Sequence, residues 1–222
     1  EIPPALDLHF KLLRHFLQHL STPPGNCHLS LVTKAKSPAG SGLGGSSSLA
    51  VAIVGAVSAW AEGKQKISPE VEGGRFIEIV RDIETQVLKV PAGVQDYYGA
   101  MYGGLQRIGW SVEKHQRKSF PTKVAHEVEK RLLLFYSGRY RNSGINNWVL
   151  FKEMIDGKKI IFDKFSAIVA STCDLEKALD QEDWIAAGKA IESEWETRRT
   201  LASGICTPEM EEAERIAIKA GA

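Results

Sequence analysis

Apolar and polar residues recur along this chain with the periods of secondary structure, and helical spacing dominates. Leu6, Phe10, Leu13, Leu17 and Leu20 mark one face of a first helix, which the Pro- and Gly-containing stretch 21–26 ends. Leu29, Leu31 and Val32 sit among Ser30, Thr33 and Lys34 in a β-leaning run that Pro38 must terminate, because proline lacks the ladder donor. Leu49, Ala52, Ile53, Ala56, Val57 and Trp60 then predict a second helix, closed by Gly63. Ser68-Pro69-Glu70 opens a third, with proline in the first turn and Glu70 and Glu72 suited to the helix dipole. Its apolar face is Phe76, Ile79, Val80, Ile83 and Val87; Gly73-Gly74 is expected to interrupt it, and Glu84 lies on the edge of that face.

Beyond residue 104 the pattern predicts short strands over 105–110 and 111–120, a polar connection over 122–130 and a buried strand over 132–136. Helices are expected over 155–179 with a break near Asp163, over 183–201 and over 208–220, with Trp184 and Trp195 as core or domain-contact residues. The domains read from this order are 1–121 and 122–222.

The chemistry concentrates in Pro38-Ala39-Gly40-Ser41-Gly42-Leu43-Gly44-Gly45-Ser46-Ser47-Ser48, between the β-leaning run and the second helix. A glycine-rich turn opening a helix is a phosphate cradle: backbone N–H groups point at the anion and the dipole favours negative charge. Any of Ser46, Ser47 or Ser48 is expected to cap the helix. A Walker loop fits the glycine spacing from Gly40 to Gly45, but Ser46 stands where the lysine is needed. The dinucleotide fingerprint matches at Gly40, Gly42 and Gly45, yet the second strand with its terminal acid is missing, since the segment from Phe76 on is helical.

At 222 residues and 43% hydrophobic the chain can bury a core of one large or two smaller domains. A net charge of +1 gives no field that would recruit nucleic acid or an anionic membrane, so the expected partner is a small molecule. Cys27, Cys173 and Cys206 fit neither a disulfide framework nor a metal site, which points to a reducing cytoplasm. No run reaches the roughly 20 apolar residues of a membrane span, and no signal peptide is visible. His15 and His19 share a face but lack a third ligand, and a solvent-facing pair is expected.

Pro-x-Gly-Ser-Gly-Leu-Gly-x-Ser-Ser followed by a small-residue helix resembles the central motif of the GHMP small-molecule kinases. The resemblance implies that Pro38, Gly40, Ser41, Gly42, Leu43, Gly44, Gly45, Ser46 and Ser47 hold the phosphates of ATP. It also implies that Ser46 binds Mg²⁺. Gly45 departs from the common pattern, where serine often stands. Glu84 and, about a dozen residues on, Asp96 match the order and spacing of the family's Mg²⁺-binding glutamate and of the aspartate that faces the substrate hydroxyl. From that window of residues alone, the favoured reading of Glu84 is a solvated acid paired with Arg81 or Lys89.

Gln95-Asp96, followed by an aromatic and then Gly103-Gly104-Leu105, most resembles the sugar kinases acting on D-glycero-D-manno-heptose 7-phosphate and related anomeric kinases. Val94 replaces their usual lysine. Gln95 is implied in substrate binding. Arg139 and Arg141 either hold a sugar phosphate by bidentate contacts or are solvated turn residues.

The fold this implies is an α+β two-domain GHMP kinase. Its N-terminal domain resembles domain 2 of ribosomal protein S5, and its C-terminal domain is ferredoxin-like. The family's N-terminal Pro-x-Arg motif and C-terminal Gly-rich motif are not in the sequence, so truncation at both ends is expected. The expected activity is transfer of a phosphoryl group from ATP, with Mg²⁺, to a sugar or sugar-phosphate hydroxyl; a homodimer is compatible with the sequence. The alternatives are a non-catalytic sugar or nucleotide sensor built on the kinase fold, and a GHMP kinase for a non-sugar alcohol such as mevalonate.

Overall fold

The computed structural model describes residues 2–3, 6–18, 28–38, 40–63, 65–89, 92–111, 115–136, 138 and 143–221, with backbone alone for 143–147. These residues are mostly helical, with one two-stranded sheet. By contacts the chain groups into two compact units, Glu1–Gly103 and Gly104–Arg139 with Ser143–Ala222.

The first unit is built from α1 (Asp7–Gln18), α2 (Gly45–Ala61), α3 (Pro69–Leu88) and α4 (Gln95–Tyr102). Each of α1, α2 and α4 packs against α3, and α2 packs against both α1 and α4. Leu12 and Phe16 of α1, Ala50, Ile53, Val54 and Val57 of α2, and Phe76, Ile77 and Val80 of α3 are buried, and the Phe16 and Phe76 rings meet edge to face at 5.9 Å. Tyr97 and Met101 add the α4 side of this core.

The buried sides of two helices depart from their apolar stripes, α1 clearly and α2 in part. Leu6, Phe10 and Leu17 are exposed, while Leu12 and Phe16 face inward. On α2, Ile53 and Val57 of the expected face are buried and Leu49 is half-buried, but Ala52, Ala56 and Trp60 are exposed, and Ser47, Ala50, Val51, Val54 and Ser58 are buried as well. The α2 sequence is apolar or small nearly all round, so no stripe within it singles out a face.

The α3 face is as expected and reaches further. Gly73, Phe76, Ile77, Val80 and Glu84 follow the i, i+3, i+4, i+7, i+11 spacing of one buried face, so Glu84 points inward instead of lying on an edge. Gly73-Gly74 does not break the helix. A Cβ on Gly73 would lie 2.6 Å from Tyr102 Oη and 3.0 Å from Met101 Cγ, so this glycine lets α3 approach the end of α4.

The β-leaning run at 29–34 forms no strand, and Val32 is 88% exposed. A strand is held by its partner more than by its propensity, and none pairs with this run among the described residues.

In the second unit β1 (Gln106–Trp110) and β2 (His115–Ser119) fall within the two expected strands and pair antiparallel from Gln106↔Ser119 to Trp110↔His115. The remaining elements are α5 (Thr122–Glu129), α6 (Ser143–Ile155), α7 (Lys159–Asp180), α8 (Trp184–Arg198) and α9 (Pro208–Lys219). Phe120, Val124, Leu179 and Ala187 form one buried cluster against which Trp184 packs; Leu150, Ile161, Ile168 and Leu201 form another, joined by Trp195.

The structure corrects three expectations in this unit. Residues 122–130 carry a helix, with Val124 buried and Val128 beside the cluster. Residues 132–136 form no strand and are exposed, from 55% at Tyr136 to 79% at Leu133 and Leu134. The helical break falls at Asp156-Gly157-Lys158, where Gly157 takes φ 74°, and not near Asp163. The helix α6 is not anticipated by pattern, because Gly144 and Asn146-Asn147 depress local propensity. Arg199 ties α8 to α9 through Glu211 and Glu214.

Candidate active site

The glycine-rich loop runs directly into α2, and its glycines take up backbone that side chains resist. Gly40, Gly42 and Gly44 have φ of 71°, 75° and 62°. The Gly44 residue is itself the N-cap in the left-handed region, with no side-chain cap, and Ser48 N–H donates to Gly44 O at 2.8 Å as the first bond of the helix. None of the three serines caps α2, contrary to expectation. An α-helix leaves its first N–H groups without intrahelical partners, so those at the start of α2 face the loop.

Freed from capping, two serine hydroxyls turn to Glu84. Ser46 Oγ donates to Glu84 Oε1 at 2.5 Å and Ser47 Oγ to Glu84 Oε2 at 3.3 Å. Tyr97 Oη also donates to Oε2. Glu84 is only 3% exposed, and its bonded partners among the described residues are three hydroxyls and no cation. The alternative pairing with Arg81 does not form: Arg81 bonds Asp82.

Asp96 stands in the first turn of α4 and reaches the loop from the other side. A Cβ on Gly44 would lie 2.9 Å from Asp96 Cβ and Cγ and 3.1 Å from Oδ2. Burial, and then the charge of Glu84, raise the Asp96 carboxyl above its ordinary value. Water still reaches this side chain, which softens the effect. Burial first, and then its bond to Glu84, push the Tyr97 phenol well above the usual tyrosine range.

The site therefore joins a phosphate-shaped loop, a buried carboxylate lined by hydroxyls and an exposed carboxylate in contact with the loop. Residues 7–104 match the family model described as GHMP kinases N terminal domain. This segment is similar to the N-terminal domain of the GHMP kinases. The resemblance read from the motifs is thus shown, and it extends past the matched segment. Over 220 residues, 98% of this chain, the sequence is 24% identical to D-glycero-alpha-D-manno-heptose 7-phosphate kinase of Campylobacter jejuni. The chain spans 62% of that relative's length.

The residues singled out from sequence divide clearly. Gly44, Ser46, Ser47, Glu84 and Asp96 come together, while Gly42 stands in the loop before them with open space around it. Pro38 accepts a backbone bond from Ser41 at 3.3 Å and so closes the start of the loop, and Leu43 is 50% exposed. Gln95 is exposed, and its amide folds back on Gly93, where a Cβ would meet Gln95 Oε1 at 2.5 Å. Arg139 and Arg141, like His19, Cys27 and Ala39, lie outside the described residues.

Two roles were not anticipated from the sequence. The Ser47 side chain is buried against Glu84, and Tyr97 joins the same carboxylate. The available signal was helical spacing: Glu84 lies at i+4 from Val80 and i+7 from Ile77, on the buried face.

Mg²⁺ is bound by one or two protein oxygens together with substrate phosphates and water. The hard oxygens of Ser46 and Glu84, in contact at the mouth of the loop, fit that requirement. Among the described residues no group of three or more His, Cys, Asp or Glu forms a dedicated metal cage, and no helix is long and apolar enough to cross a membrane.

Proposed function

We propose that this protein transfers the γ-phosphoryl group of ATP, with Mg²⁺, to a hydroxyl of a sugar or sugar phosphate, most closely one like heptose 7-phosphate. The observation that carries the reading is the convergence at the loop: Ser46 bonds Glu84 at 2.5 Å while Gly44 abuts Asp96. The loop backbone and the start of α2 bind the phosphates. Ser46 and Glu84 hold the ion, which supplies charge neutralisation for the transferred group. Asp96 accepts or orients the proton of the attacking hydroxyl; its raised affinity for protons brings it nearer the range useful to a base at neutral pH. The division into family domains at 121/122, and a cytoplasmic setting, belong to the same reading.

The test is an ADP-release panel on the full-length protein with free hexoses, heptose 7-phosphate, mevalonate and homoserine. Turnover of a sugar or sugar phosphate supports the reading. Binding without ADP release across the panel favours a sensor, and mevalonate or homoserine as the preferred acceptor overturns the sugar assignment.

Glu84→Gln removes a hard anionic oxygen, so it is expected to raise the Mg²⁺ concentration needed for half-maximal rate as well as to lower turnover. A Mg²⁺ titration indistinguishable from wild type would reject Glu84 as a ligand.

If the acceptor already carries a phosphate, Arg139→Ala and Arg141→Ala should each raise KM for it, because a bidentate guanidinium contact to phosphate is lost. Unchanged KM in both would leave them as turn residues.

A further inference from the structure

We propose that Tyr97 is a positioning residue: by donating to Glu84 Oε2, its phenol holds the carboxylate so that Oε1, the oxygen bonded to Ser46, is presented to a hard divalent cation at the loop. This rests on the reading of Ser46 and Glu84 as the cation's ligands.

The packing role of the ring does not explain its hydroxyl. Tyr97 is the largest of the fully buried side chains, at 0% exposed, and phenylalanine would fill nearly the same space between α2, α3 and α4. A buried phenol oxygen costs free energy unless it is bonded, and its bond goes to the one buried carboxylate among the described residues.

The two carboxylate oxygens are treated differently. Among the described residues Oε2 accepts from two buried side chains, Ser47 and Tyr97, whereas Oε1 accepts from Ser46, which is exposed at the loop. Two donors on Oε2 restrict rotation about the terminal torsion of Glu84, which is otherwise broad. Such outer contacts fix the orientation of a metal ligand and tune its basicity. Tyr97 also follows Asp96 in the chain, so the same bond ties the first turn of α4 to α3 and limits how far Asp96 can move from Glu84.

The test uses full-length protein with ADP and Mn²⁺ as the probe ion, read from the electron paramagnetic resonance signal of free Mn²⁺, which requires no turnover. Tyr97→Phe is expected to weaken Mn²⁺ affinity about tenfold or more, within the range typical of losing a partner of a metal ligand. Its affinity for ADP without metal should match wild type, and saturating Mg²⁺ should recover part of its turnover. A role confined to packing would lower the melting temperature and leave Mn²⁺ affinity alone, and that outcome overturns the proposal. Should Tyr97→Phe fail to fold, Ser47→Ala removes the other donor to Oε2, and wild-type Mn²⁺ affinity in that variant likewise overturns it. Glu84→Gln separates the two levels: if it too binds Mn²⁺ normally, the ligand assignment itself has failed; if it loses Mn²⁺ while Tyr97→Phe does not, only the positioning role has.

Discussion

Asp96→Asn in the full-length protein is expected to lower kcat by roughly 10²–10⁴ while barely changing affinity for Mg-ATP, because a positioned base contributes about that factor. Asparagine keeps the shape against Gly44 and most hydrogen bonds, but it cannot accept the proton. The metal is assigned to Ser46 and Glu84, so added Mg²⁺ should not restore the rate. Near-normal kcat, or a defect cured by Mg²⁺, would remove Asp96 from the base role.

The same substitution has a stability signature of opposite sign. Burial, and next the charge of Glu84, raise the Asp96 pKa above 3.8, so between that value and the raised one the folded state binds more protons than the unfolded state. Stability therefore falls as pH rises through this window, and above it the ionised side chain remains unfavourable. Asparagine has no charge to lose or to repel Glu84. At pH 7 the variant should melt at or above the wild-type temperature, and the difference should shrink as pH is lowered toward the ordinary aspartate range. A melting temperature clearly below wild type at pH 7 would mean that ionised Asp96 stabilises the fold, the reverse of what partial desolvation and the charge of Glu84 imply. In wild type, the ascending limb of kcat/KM against pH should lie above the ordinary aspartate value.

Gly44→Val should abolish nucleotide binding. Two independent effects act at this position. Its φ of 62° is left-handed, which costs an L-residue about 1–2 kcal/mol and more for a β-branched one. A Cβ there would also sit 2.9 Å from two Asp96 carbons, a separation that requires the loop or α4 to move. Either movement spoils the alignment of the α2 N–H groups with Asp96. Gly42→Ala is the informative comparison: φ is 75°, but a Cβ there meets nothing within 4 Å, so it carries strain without collision and should weaken binding only partly. Calorimetric titration of Mg-ATP into each variant, with circular dichroism to establish folding, distinguishes them. A folded Gly44→Val protein that binds Mg-ATP as wild type does would refute the cradle.

Local signals in this chain act over a few residues, and those were legible. The Ser68-Pro69 start of α3, the Gly63 end of α2, the two short strand runs at 105–110 and 111–120 and the glycine loop with its following helix all depend on backbone geometry that neighbouring residues dictate. The spacing of Ser46, Glu84 and Asp96 could be matched to a family motif without knowing how the helices pack.

The tertiary structure decided what the local pattern left open. The apolar stripe on α1 did not select the buried side and that on α2 did so only in part, because an apolar residue is buried only where another element covers it, and α2 offers apolar residues in nearly every direction. The runs at 29–34 and 132–136 have strand composition, yet a strand requires a partner to take its backbone bonds, and none pairs with them among the described residues. Glu84 read from sequence as either a solvated acid or a ligand. Packing of α3 against α2 and α4 encloses it with Ser46, Ser47 and Tyr97, because a carboxylate removed from water is retained only where donors from several elements meet it.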